Sequence, residues 1–116
     1  MFTAGKKITN LTWIIDDNKK QLDGYTESVL PLFDLRAKFE AFGFEAVRVD
    51  GGDVEAIYEA LSAPVGERPR AVILDNVKGR GVREVEETVA NHSMNVTPET
   101  CDRWLDELRA ELAALR

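Results

Sequence analysis

One cysteine, one histidine, no apolar run approaching 18 residues and no surplus of basic residues mark this chain by what it has little of. The lone Cys101 excludes an intrachain disulfide and any zinc site built on cysteines. The lone His92 excludes histidine-rich metal sites and most catalytic triads. Without a long apolar run or a signal peptide, no membrane association is expected and the default location is cytoplasmic. Lysines and arginines number 15 against 21 acids, for a net charge of −6, and they are scattered rather than gathered on a stripe. Nucleic-acid binding, which needs clustered cations against the phosphate backbone, is excluded on that ground. What remains is the composition of a globular chain, 44% hydrophobic and 31% charged, with no repeat and no low-complexity tract. Its 116 residues suit a single domain with one modest core.

Along the chain, short apolar runs alternate with helical patterns. Leu11 to Ile15 reads as a buried strand, and Lys19 to Ser28 as a polar, glycine-containing loop. Pro31 opens a helical stripe of Leu32, Leu35, Phe39 and Phe42, which Gly43 stops. Phe44 to Val49 reads as a second strand, and Asp53 caps a helix whose apolar face carries Val54, Ile57, Tyr58 and Leu61. Ala71 to Leu74 is a third buried strand ending in Asp75-Asn76, and Arg83 to Glu87 has no clear assignment. Thr97 offers an N-cap with Pro98 at the first helical position, opening a helix with Cys101, Trp104, Leu105, Leu108, Leu112 and Leu115 on one face. The fold class is α/β, with a small parallel sheet and flanking helices. Three strands make a small sheet with two open edges, so the sheet is expected to be incomplete without another chain.

The segment Ile14-Ile15-Asp16-Asp17-Asn18-Lys19-Lys20-Gln21-Leu22-Asp23-Gly24 carries the strongest chemical signal. An apolar strand delivers oxygen ligands at its carboxyl end, where parallel α/β sheets bind their ligands. Taken alone, Asp16-Asp17-Asn18 is equally a strand end opening into a turn. Lys78-Gly79-Arg80-Gly81 combines cations suited to phosphate with glycines that permit close backbone approach. It is also compatible with a tight turn whose charges are solvated.

Four blocks resemble the transketolases, and within them the pyrophosphate-binding domain of these thiamine-diphosphate enzymes. They are Asn10 to Lys19 with Gln21-Leu22-Asp23-Gly24; Phe42-Gly43-Phe44 with Val49-Asp50-Gly51; Val77 to Val82; and Val89-Ala90-Asn91-His92. Met1 to Lys7 is similar to the helix that precedes the first strand in that family. The resemblance implies that residues 1–116 form a partial thiamine-diphosphate-binding domain. It implies Asn18 and the backbone carbonyl of Lys20 as ligands of Mg²⁺, which prefers oxygen and bridges protein to diphosphate. It further implies Leu22 near the cofactor ring, and Lys78 and Gly79 beside the cofactor. By the same resemblance His92 reaches the diphosphate and the reacting centre, where an imidazole suits proton transfer. Two departures stand out: Ser93 follows His92 where the family usually has glycine, and Asn91 stands where an aromatic is frequent.

The family's metal-bound aspartate lies in a Gly-Asp-Gly segment upstream of the Asn, and no such segment occurs in these 116 residues. The resemblance therefore implies two partners: a chain carrying that motif and a pyrimidine-binding chain. The expected function is that of one part of a multi-chain transketolase, a subunit or fragment inactive alone. Assembled, it transfers a two-carbon ketol unit between sugars with thiamine diphosphate and Mg²⁺. A non-catalytic remnant or scaffold that keeps the fold is the alternative. A phosphorelay receiver domain is a distant third: Asp75 ends the third strand, but only a helix follows, with none of the later Ser/Thr and Lys a receiver needs.

Overall fold

The computed structural model describes residues 1–115. Its elements run α1 (Phe2–Gly5), β1 (Thr12–Asp17), β2 (Lys20–Gln21), β3 (Gly24–Tyr25), α2 (Thr26–Val29), α3 (Leu35–Ala41), β4 (Glu45–Asp50), α4 (Val54–Ser62), β5 (Arg70–Asp75), α5 (Arg83–Glu87) and α6 (Pro98–Ala114). The expected α/β class is correct, and the sheet is parallel in the order β1-β5-β4. Its core is small: Phe44 and Ala46 beside Ala71, Val72 and Ile73 of the central strand, the last three wholly buried.

The central strand is the one that comes last in the chain. β5 has neighbours on both sides and is buried over its first four residues, as a continuously apolar parallel strand demands. β1 is an edge. Trp13 and Ile14 are 45% and 58% exposed, and its one buried residue is Asp17, so the expectation of a buried first strand is corrected. The apolar run is real, but among the described residues nothing covers its outer face. Trp13 still joins an edge-to-face cluster with Phe39 and Phe44, ring centroids 5.4–6.2 Å apart, which docks α3 on the sheet.

Helix ends follow local chemistry. Asp34 caps α3 by accepting from Ala37 N–H, so Pro31 and Leu32 lie before the helix rather than inside it. At the other end Gly43 takes a φ of 87°, and the amides of Gly43 and Phe44 reach back to Glu40 and Phe39. That pair of bonds is the Schellman stop, which favours glycine at this φ. Asp53 and Thr97 cap α4 and α6 as expected. The α4 face is not as expected: Val54, Tyr58 and Leu61 are exposed, while Ala56, Ile57 and Ala60 turn inward. Buried Arg70 closes the end of α4, its guanidinium donating to the carbonyls of Ala60, Ala63 and Pro64. Among the described residues no helix is long and apolar enough to cross a membrane.

The segment expected as a loop, residues 19–28, is ordered differently. Leu22 and Asp23 turn a tight hairpin between β2 and β3, and α2 follows at once. Arg83 to Glu87, left unassigned by pattern, forms the single helical turn α5.

Candidate functional site

All three strands of the sheet end level. Asp17 pairs in register with Asp75, and Asp50 pairs with Asp75 from the other side, so three aspartates stand in a row along the carboxyl edge. Three cations neutralise the row. Lys19 Nζ lies 2.6 Å from Asp17 and 2.7 Å from Asp75; Arg48 lies 2.9 Å and 3.4 Å from the same two; Arg80 pairs with Asp50. Together with Asn76 and Val77, Lys19, Arg48, Asp50, Asp75 and Arg80 line an open crevice of about 690 Å³. Sequence reading missed this row. Its signal was present as an aspartate closing each strand, with Arg48 two residues before one of them.

The ion pairs set protonation. The hydrogen bond from Lys19 holds Asp75 below its ordinary 3.8, with Arg48 adding to the effect against the opposing pull of burial. Burial alone would lower Lys19, but its bonds to Asp17 and Asp75 outweigh that and hold it above 10.5. A depressed aspartate stabilises the fold above its unfolded pKa and loses that contribution as pH falls through the folded value. A raised lysine contributes below its unfolded pKa and loses it as pH rises through the folded value. Thermal melts are therefore expected to show a plateau between those limits, falling below about pH 4 and again above about pH 10.5. Asp75→Asn flattens the acid limb by about 1 kcal/mol or less, because the pair is half-exposed. An acid limb identical in the two proteins would contradict this assignment.

Beside the row lies the predicted ligand hairpin. Lys19 sits in the left-handed region at a φ of 66°, which turns the chain out of β1. Asn18 is held at both ends of its amide: Nδ2 donates to Asp16 at 2.8 Å, and Oδ1 accepts from Lys20 N–H at 3.1 Å. Thr26 N–H donates to the Lys19 carbonyl at 2.9 Å. By the alternation of an antiparallel ladder, Lys20 and Tyr25 are then the pair that exchanges no bonds. The N–H and C=O of Lys20 thus both turn outward, to the edge where Asn18 Oδ1 lies. Asn18 Oδ1 keeps one lone pair, and with the Lys20 carbonyl it offers two neutral oxygens on one edge.

These two oxygens fit a hard divalent cation as part of its octahedron. Of the neighbouring carboxylates, Asp17 is neutralised by Lys19 and Arg48, and both oxygens of Asp16 already accept from the amides of Asn18 and Asn76. Among the described residues no three His, Cys, Asp or Glu side chains gather as a cation site. The two oxygens carry no formal charge of their own, so a bound divalent cation needs an anionic ligand besides them.

Lys78 and His92 meet, Nζ to Nδ1 at 3.4 Å. An ammonium can only donate, so this contact makes Nδ1 the acceptor and leaves the ring proton on Nε2. Gly79 has a φ of 86°, and a Cβ there would collide with Val85. Its glycine is required for packing on α5, besides any approach to a ligand. Leu22 is 70% exposed at the hairpin tip. The structure thus groups Asn18 with Lys20, and Lys78 with His92, while Leu22 is exposed at the turn that follows β2.

Residues 2–108 match the family model described as the transketolase, thiamine diphosphate binding domain. The chain is 33% identical over 113 residues to the 6-deoxy-6-sulfo-D-fructose transketolase subunit SqwG of Clostridium sp. (strain MSTE9), covering 96% of this chain and 41% of that protein. It is 34% identical over 110 residues to an apulose-4-phosphate transketolase subunit from Actinobacillus succinogenes, covering 93% and 40%. The crystal structure of transketolase from Campylobacter jejuni superposes with a TM-score of 0.81 at 24% identity, over 92% of this chain and 17% of that one. The chain spans about two fifths of the length of these curated subunits.

Proposed function

The chain belongs to the transketolase family, through its thiamine diphosphate-binding domain, and from that premise we propose that it supplies the diphosphate-and-cation side of a ketol-transferring enzyme. The observation that carries the proposal is the shared edge of Asn18 Oδ1 and the Lys20 carbonyl, held by the Asn18–Lys20 hydrogen bond at the end of β1. In this reading Asn18 and Lys20 hold Mg²⁺, and Lys78, Gly79 and His92 face the diphosphate. Thiamine diphosphate, when bound, supplies the nucleophilic carbon that cleaves a ketose beside its carbonyl and passes a two-carbon unit to an aldose.

The protein's own residues bind and orient. His92, with Nδ1 turned to Lys78, presents Nε2–H as a donor to an oxygen that gains negative charge. The anionic metal ligand and the pyrimidine-binding region come from polypeptide outside residues 1–116. Relatives named as subunits support an enzyme assembled from more than one chain. A location in the cytoplasm suits such sugar chemistry.

Reconstitution tests the reading. The chain is mixed with polypeptides carrying a Gly-Asp-Gly motif and a pyrimidine-binding domain, and thiamine diphosphate binding is followed by titration calorimetry with and without Mg²⁺. Mg²⁺-dependent binding followed by ketol transfer is expected. A folded assembly that binds no cofactor at millimolar Mg²⁺ would overturn it in favour of a scaffold that keeps only the fold.

A further inference from the structure

Lys20 does two unrelated things. Its backbone faces the Asn18 edge, while its side chain, in a residue only 8% exposed, runs to the end of α5 and donates to the carbonyls of Glu86 and Thr88. Burying an ammonium is costly unless it is fully hydrogen-bonded, and a hairpin this short does not need a lysine to form. The carbonyls it finds are those a helix end leaves without partners. Two more are satisfied as well: Glu84 by the Thr88 amide and hydroxyl, and Val85 by the Asn91 carboxamide. Asn91 also donates to the Lys78 carbonyl, although its own Oδ1 is buried without a partner among the described residues. The segment from Lys78 to His92 is therefore stitched internally by Asn91 and fastened to the hairpin by Lys20.

We propose that Lys20 is a positioning residue that couples the cation-facing edge of the hairpin to the loop carrying His92. The inference rests on the reading of that edge given above. Displacing the hairpin strips the ammonium of both acceptors, and loosening the end of α5 does the same, so each element holds the other. Occupancy of the Asn18 edge and order in residues 86–92 are then linked, and linkage of this kind commonly amounts to about tenfold in affinity.

Hydrogen exchange on the full chain, alone and assembled with the completing polypeptides, tests this with Lys20→Met and Lys20→Arg. In the unassembled chain Lys20→Met is expected to accelerate exchange selectively at amides 86–92, leaving β4 and β5 protected, and Lys20→Arg to restore protection in part. In the assembly, Mg²⁺ and thiamine diphosphate are expected to protect residues 86–92 in the natural protein. In Lys20→Met that protection is lost and cofactor affinity falls about tenfold. Unchanged exchange at 86–92 in a folded Lys20→Met chain would overturn the proposal, whether or not cofactor binds. Failure of the natural assembly to bind cofactor, with the exchange difference intact, would instead overturn the reading of the edge alone. If Lys20→Met does not fold, Lys20→Gln, one bond too short to reach both carbonyls as the ammonium does, is expected to accelerate exchange at 86–92 in the same way, and unchanged exchange there would overturn the proposal.

Discussion

Replacing Asn18 with alanine is expected to lower Mg²⁺-dependent thiamine diphosphate affinity of the assembled protein by roughly 100-fold, at the upper end of what changes around a metal site cost. The change removes an oxygen from the cation-facing edge and also the acceptor that holds Lys20 N–H at 3.1 Å. The Lys20 carbonyl then loses both its neighbour and its orientation. Asn18→Asp keeps the acceptor for Lys20 N–H and adds negative charge to the edge, although it replaces the Nδ2 that donates to Asp16 at 2.8 Å with a second oxygen. Calorimetric titrations are expected to show Asn18→Asp retaining more affinity than Asn18→Ala. Thermal stability changes little in Asn18→Ala, since Asn18 is only half-buried and stands outside the core, and falls modestly in Asn18→Asp, where a second carboxylate faces Asp16. Equal affinity in Asn18→Ala and the natural protein would remove Asn18 from the site.

Much of this was legible in the sequence because it is written in local chemistry. Asp53, Thr97-Pro98 and Gly43 announce helix ends through bonds that span at most a few residues. The apolar runs at Trp13 to Ile15 and Ala71 to Leu74 announce strands. Pattern alone cannot say which of two such runs lies in the middle. Strand order depends on pairing across the fold, and it left Ile14 facing out while Ile73 is sealed in. The hairpin was illegible for a related reason. Gln21-Leu22-Asp23-Gly24 carries only its turn signal, and two-residue strands have no periodicity to read. At the site, the roles of Asn18 and His92 came from resemblance. The partners that hold them came from the structure alone: Lys20 reaches its acceptors across more than sixty residues of sequence.

Asp17→Ala is expected to be the most destabilising single change at the crevice, by about 2 kcal/mol. Asp17 is 7% exposed and accepts from both Lys19 and Arg48, so its removal strips each cation of its nearer carboxylate and leaves the two to share half-exposed Asp75. Breaking a fully buried pair costs somewhat more than this; here Lys19 and Arg48 retain 46% and 31% exposure and recover part of the loss by hydration. The melting temperature is expected to fall by roughly 10 °C or more for a chain of this size. Lys19→Met removes the more exposed partner and costs about 1 kcal/mol. Because both changes delete one contact, the double substitution is expected to cost less than their sum, and additive melting shifts would show the pair to be uncoupled. The loss reaches the site as well. Lys19 holds a left-handed φ of 66° that a lysine adopts at some cost, and its bonds to Asp17 and Asp75, together with the Thr26 amide on its carbonyl, hold it there. Releasing Asp17 frees that turn, and with it the direction in which Asn18 and the Lys20 carbonyl face.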